Sequence, residues 1–217
     1  MSKLLYKEIK LCIGAINIFF LLFTAMILIP DYPVCVTFFY MCLSVFWIFN
    51  NAEINRDMMM NSILPVAKKD IVKARCLLVF CYEMVFFILT VPFAVLAAKF
   101  WPDGNSAGID ANVACYGLNL VTVAAFHLVF FPMFYRKGEK PGAGFLVSIP
   151  VYFAVYAMLE FLLWTKGNSD LLNMIDSTDA AMQIRQIPVL AAGIIIYAAG
   201  WIITYRISKR RFEKVDI

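Results

Sequence analysis

Cys76-Leu-Leu-Val-Phe-Cys-Tyr-Glu-Met-Val-Phe-Phe-Ile-Leu-Thr-Val-Pro-Phe-Ala-Val-Leu-Ala-Ala98 is a continuous apolar run broken by one charge, Glu83. A helix crossing the hydrocarbon core of a bilayer needs about 20 mostly apolar residues, and this run has that length. A transmembrane β-strand would alternate in character over about ten residues, and this run does not. Backbone polar groups in lipid must be satisfied within the segment, so the run reads as a helix. Five more stretches of this kind flank it, at about 11–29, 34–50, 113–134, 142–164 and 188–205. Composition agrees. The chain has 217 residues, 63% of them apolar and only 16% charged, against roughly 25% charged in an ordinary soluble domain; mean hydropathy is +0.79. A water-soluble globule and a disordered chain are excluded. Six cysteines are too sparse for a secreted disulfide scaffold. They read as small apolar residues, with no spacing that suggests a metal site. The fold class is an all-α membrane protein, a single domain over 1–217 with six transmembrane helices.

The basic residues orient it. Of 19 Lys and Arg, only Lys99, Lys166 and Arg185 fall on one side of the six spans, and all the others fall on the opposite side. Positive residues are retained in the cytoplasm, so both termini are expected there, as an even number of spans requires. The first span reads as an uncleaved helix, because no small-residue cleavage site follows it. Before it, Lys3, Lys7 and Lys10 form one stripe at helical spacing, with Leu4, Leu5, Ile9 and Leu11 outside the stripe. Such a helix can rest in the headgroup layer with its lysines toward anionic lipid.

The 51–75 connection is the longest on the basic side. Its first half, 52–64, reads as a short helix whose Met58, Met59, Met60, Ile63 and Leu64 offer apolar surface outside the bilayer. Methionine suits an adaptable docking surface. Pro65 ends this helix, and a new one starts near Lys68 with Asp70 in its first turn, where the helix dipole favours an acid.

Three segments resemble the type-2 ABC exporter permeases: Leu4-Leu-Tyr-Lys-Glu-Ile-Lys-Leu11, Ile63-Leu-Pro-Val-Ala-Lys-Lys-Asp-Ile-Val-Lys-Ala-Arg75 and Ser208-Lys-Arg-Arg-Phe-Glu-Lys-Val-Asp-Ile217. Within that family the chain looks closest to small stand-alone permeases such as the phenol-soluble modulin exporter. Ala67 departs from the pattern, since members often carry Ser there, and Ser could cap the following helix. The resemblance implies that 52–64 is a coupling helix set into a groove of a separate ATPase subunit. Glu53, Asn55, Arg56, Asp57, Met58, Met59, Met60, Asn61 and Leu64 would be the residues in contact with that ATPase. It implies that the N-terminal helix is an interfacial connecting helix, and that short re-entrant helices lie between spans 5 and 6, where Leu171, Leu172, Met174 and Ile175 supply apolar content. It further implies a bacterial cell-membrane location, a homodimer of permeases and two ATPase copies. The chain contains no GxxxxGK[ST] phosphate loop, so ATP and Mg belong to the partner and no cofactor to this chain. Membrane lipids are the other expected contacts; nothing points to nucleic acid.

Charges inside spans are costly and mark aqueous paths or internal pairs. Glu83 lies about 10 Å from the basic end of the third span at 1.5 Å per residue. His127, the sole histidine, lies at a similar depth in the fourth span, which runs the opposite way. The two are expected to pair, either as a polar patch on the pathway or as a structural bond between helices. Glu160, near the opposite surface, reads as an interfacial anchor. Gly193 and Gly200, beside Ala192 and Ala199, are a candidate dimer face, and Pro92, Pro132 and Pro150 candidate kinks. The leading expectation is an exporter permease for an amphipathic or apolar substrate, first of all a peptide such as a modulin-type toxin or bacteriocin. Two alternatives compete. One is an intramembrane enzyme, for which no HExxH or GxSxG occurs. The other is a substrate-binding membrane subunit of a vitamin importer.

Overall fold

A computed structural model describes residues 2–57, 60–61, 65–101, 104–137, 140–165 and 174–215. Their regular structure is all helical, with no strand among the described residues. In chain order the helices are α1 (Ser2–Cys12), α2 (Ala15–Leu21) running into a 3-10 helix (Leu22–Leu28), α3 (Val34–Ile54), α4 (Lys68–Phe100), α5 (Val113–Lys137), α6 (Pro141–Thr165), α7 (Ala180–Arg185) and α8 (Ile187–Glu213). Five of them, α3, α4, α5, α6 and α8, are long and apolar enough to cross a membrane. A sixth span results if the pair formed by α1 and α2 with its 3-10 extension counts as one.

That pair is where expectation and structure part. The apolar run at 11–29 predicts one helix, but the chain bends by 84° between α1 and α2, and the apolar segment starts only at Ala15. The cause lies in α3. Asn51 donates its side-chain amide to Cys12 O (3.0 Å) and Asn55 donates to Leu11 O (2.7 Å), taking up carbonyls at the C-terminal end of α1. Gly14 supplies the break: a Cβ there would lie 2.9 Å from Asn51 Nδ2. Its amide donates to Asn17 Oδ1 (3.0 Å), which starts α2. Asn17 in turn donates to Ser44 O (2.8 Å), and the Ser44 hydroxyl meets that of Tyr82 at 2.6 Å. These bonds tie α2 to α3 and α4.

The 51–75 connection also differs. The first turn of the expected 52–64 helix is the end of α3, which continues to Ile54. Asn55 and Arg56 then form a turn, with Arg56 in the left-handed region (φ 51°), and helical backbone resumes at Asp57, Met60 and Asn61. Met58, Met59, Ile63 and Leu64 lie outside the described residues. α4 begins at Lys68 as expected, with Asp70 in its first turn; Ala67 caps it without a side-chain hydrogen bond. Between α6 and α8 the structure describes buried Ile175 and the six-residue α7, none of whose residues is buried; Leu171 and Leu172 fall outside the described residues.

α5 is the centre of the bundle, lying against α8 on one side and α6 on the other. Its close approach to α8 rests on small residues. A Cβ on Gly193 would fall 2.7 Å from Gly117 Cα, and one on Gly200 would fall 2.9 Å from Ala124 Cβ. The two glycines expected to form a dimer face are therefore consumed inside the protomer, where they let the α8 backbone touch α5. Toward the basic end, Phe49 of α3 is packed edge-on by Phe130, Phe131 and Phe134 of α5, with ring centroids 4.6–5.0 Å apart. The Arg75 guanidinium lies 5.2 Å from the same ring. Pro92, Pro132 and Pro150 lie inside continuous helices.

Candidate functional site

The basic end holds a buried network of charge drawn from three separate segments. α1 contributes Lys7 and Glu8, the 57–61 stretch contributes Asp57 and Asn61, and α4 contributes Arg75. The Arg75 guanidinium bonds Glu8 Oε2 through Nε and Asp57 Oδ2 through Nη2 at 2.7 Å. Lys7 Nζ donates to Asp57 Oδ1 at 2.6 Å and also to Asn61 Oδ1. Asn61 donates to Asp57 Oδ2 at 2.9 Å. Lys7 Nζ also lies 3.2 Å from Glu8 Oε1, close enough for an ion pair but without the alignment of a hydrogen bond. Glu8, Asp57, Asn61 and Arg75 are all at most 4% exposed. Two cations meet two carboxylates, so the group is neutral as a whole. Desolvated charges persist only when paired and hydrogen-bonded in this way.

Chemically the arrangement is an ionic joint, in which the Cys12 thiol also donates to Glu8 Oε2 at 3.6 Å. What it offers is a set of charge-assisted bonds among α1, Asp57 and α4, where α1 already packs against α3 and α4.

The stripe Lys3, Lys7, Lys10 divides. Lys3 and Lys10 are exposed, while Lys7 turns into the network. Of the residues expected to meet an ATPase, Glu53, Asn55, Arg56 and Met60 are exposed, and Asp57 and Asn61 are buried. Met58, Met59 and Leu64 lie outside the described residues. Sequence reasoning missed Glu8, Asn51 and Arg75. The available signal was modest: Glu8 is the one acid among the N-terminal lysines, and Arg75 is the last charge before the long apolar run.

Deeper in the bundle, α4, α5 and α8 each contribute one member of a polar triad. His127 Nε2 lies 2.7 Å from Glu83 Oε1, and the Tyr197 hydroxyl donates to Glu83 Oε2 at 2.6 Å. Glu83 and His127 are wholly buried, and Trp201 leans on the imidazole with centroids 4.3 Å apart. The pairing expected from depth is present. Tyr197 was not foreseen, because one tyrosine among ten carries no positional signal.

The opposite end is acidic. The Asp31 carboxylate accepts from the hydroxyl and amide of Ser106, and both bonds hold its pKa below the usual carboxylate range. The Asp110 backbone amide donates to Asp176 Oδ1 at 2.9 Å. Burial, reinforced by the neighbouring Asp176 charge, pushes the Asp110 carboxyl up to about 6, and burial also raises Asp176. Glu160 of α6 also lies at this end, with Oε1 2.8 Å from where a Gly108 Cβ would be.

No curated protein and no solved structure matches the chain. A family model described as ABC-2 family transporter protein matches residues 3–209. That match spans all of the helices that could cross a membrane except the last few residues of α8. The chain therefore belongs to the ABC-2 transporter family, membrane components of ABC transporters that work with an ATP-binding subunit.

Proposed function

We propose that this chain is the permease subunit of an ABC exporter in a bacterial cell membrane, with its basic end in the cytoplasm. It moves an amphipathic or apolar substrate outward, in the first place a peptide of the modulin or bacteriocin kind. Two copies of the chain pair, and each receives one copy of a separate ATPase that binds ATP and Mg. The exposed Glu53, Asn55, Arg56 and Met60, with the adjoining Met58, Met59 and Leu64, form the ATPase contact, and α1 lies at the membrane interface through Lys3 and Lys10.

The observation that carries this reading is the bond of Asp57 to both Arg75 and Lys7. The stretch between α3 and α4 is joined by buried charge to a long membrane helix and to the N-terminal helix. An element that receives force from outside the bilayer needs such a link, whereas an ordinary surface loop does not. ATPase closure displaces the 55–61 stretch, the joint transmits the displacement to α4 and α1, and the bundle alternates its openings.

The test is co-expression of the tagged chain with a candidate ABC ATPase subunit. Co-purification and stimulated ATP hydrolysis in vesicles are expected, with release of an amphipathic peptide dependent on ATP. Arg56→Glu with Met60→Glu abolishes co-purification. Asp57→Asn keeps the ATPase bound but uncouples hydrolysis from efflux. Full transport by the chain without any ATPase would end this reading.

A further inference from the structure

α4 and α8 diverge along one side of the bundle and leave between them a groove of about 790 Å³, floored by Tyr116 and Leu120 of α5. From Lys73 to Val91 its α4 wall extends ~27 Å at 1.5 Å per residue, most of the ~30 Å hydrocarbon thickness. The surface its walls present is almost wholly apolar. Lys73, exposed and at the basic end, lines it with its aliphatic stem and is the only charged residue lining it among the described residues. The hydroxyls of Tyr116 and Tyr197 are already committed, to Thr90 and to Glu83.

We propose that the half of this groove nearest Lys73 binds one anionic phospholipid, the phosphate over the Lys73 ammonium and an acyl chain along Cys76, Leu77, Phe80, Trp201 and Tyr205. Three observations support this occupant. The stretch from Lys73 to Met84 is ~16 Å long, the depth of a single leaflet of a ~30 Å core. The volume lies within the ~300–1,000 Å³ of sites that enclose small ligands. Charge complements a phosphate at one end only. Lys69 lies one turn before Lys73, and Lys209 follows Tyr205 by one turn on the facing helix. Two carboxylates share this end: Asp70, beside Lys69, and Glu213, toward which Lys209 leans at 3.9 Å. Lys73 is thus the cation that addresses the groove. The inference needs only that the chain sits in a membrane, and it is independent of what the chain exports.

Trp201 lies in the wall, its ring 6.4 Å from Phe80 and so about two helical turns from Lys73; it reports contact with a brominated acyl chain by quenching. The full-length protein is reconstituted in phosphatidylcholine vesicles that carry an equal fraction of either brominated phosphatidylglycerol or brominated phosphatidylcholine. The signal of Trp201→Phe protein is subtracted to isolate Trp201. The expected result is about fivefold tighter apparent quenching by the anionic lipid, equivalent to about 1 kcal/mol, the attraction of one lysine near an anionic surface. Lys73→Gln removes the preference, and Lys99→Gln, at the other end of α4, leaves it intact. Equal quenching by both headgroups, or a preference that survives Lys73→Gln, shows ordinary annular lipid and overturns the proposal. Absence of quenching by either lipid, with Ile194→Cys forming cross-links between copies, shows that protein covers the groove and overturns it as well. Monodisperse elution of each variant verifies that it has folded.

Discussion

The charge network at the basic end and the triad inside the bundle are both buried and both hydrogen-bonded, yet they are built differently. Lys7, Glu8, Asp57 and Arg75 come from segments separated by loops and sharp turns, so the network adds ionic cross-links where α1 packs against α3 and α4. Glu83, His127 and Tyr197 come from three long helices, of which α5 and α8 pack along their length while α4 meets α8 over a shorter stretch and α5 hardly at all, so the triad fastens α4 to the α5–α8 pair. The first is a joint among α1, Asp57 with Asn61, and α4, and the second a pin between α4 and that pair. Loss of the joint should release motion; loss of the pin should loosen packing.

The sharpest way to break this distinction is Arg75→Ala. It leaves Glu8 and Asp57 buried with only Lys7 as a countercharge, and a cost of about 3–5 kcal/mol is expected for stripping one member from a buried ionic group. Thermal unfolding in detergent reads it. Glu8→Gln with Arg75→Gln leaves the neutral Lys7–Asp57 pair and should recover much of that loss. If the double variant is no better than the single one, the carboxylates are not what Arg75 stabilises. Gly193→Ala comes next. Its methyl group meets the Gly117 backbone, an overpacking that costs about 1–3 kcal/mol. It should pull Tyr197 away from Glu83, seen as faster hydrogen exchange in the middle of α8.

Tyr197→Phe should cost slightly less, about 1.5–2 kcal/mol for one hydrogen bond to a carboxylate. The pin interpretation requires that transport per folded molecule stay near wild type in this variant and in Glu83→Gln. A collapse of transport with stability unchanged would instead place the triad on the pathway. The smallest effect is expected far from both regions. The Asp110 carboxyl is raised in the folded protein to about 6, so the folded form holds a proton that the unfolded form has lost. The Asp110 contribution to the loop is therefore complete below pH ~4 and is lost as the pH rises to about 6, whereas the Asp31–Ser106 bonds need pH above ~4. Two pH units correspond to ~3 kcal/mol, which screening at this half-exposed site reduces to on the order of 1 kcal/mol. Limited proteolysis of the 104–112 loop across that range should show the slope, and Asp110→Asn should flatten it.

Long apolar runs made the membrane helices legible, since their length alone demands helix in lipid. Equal depth in two antiparallel neighbours made the Glu83–His127 pair legible too. The bend at Gly14 was not, because its cause is Asn51 and Asn55, whose amides arrive from the far end of α3. Nor was the turn at Arg56: charged residues with good helix propensity read as a continued helix, and tertiary bonds through Asp57 decide otherwise. The network escaped notice for a related reason. Periodicity reports which face of one helix is apolar; it says nothing of which buried acid on one segment meets which base on another. Gly193 and Gly200 showed the limit of a correct physical signal. Small residues did mark a close helix crossing, but the crossing partner was within the same chain.

The 3-10 extension of α2 has a consequence for the membrane itself. Seven residues at 1.5 Å and seven at 2.0 Å reach ~24 Å, where fourteen α-helical residues would reach ~21 Å. Overwinding thus lengthens a segment that is still several Å short of a ~30 Å hydrocarbon core. A bilayer would meet so short a segment by thinning beside Leu22–Leu28. Bilayers of shorter acyl chains should suit the protein better than thick, sterol-stiffened ones.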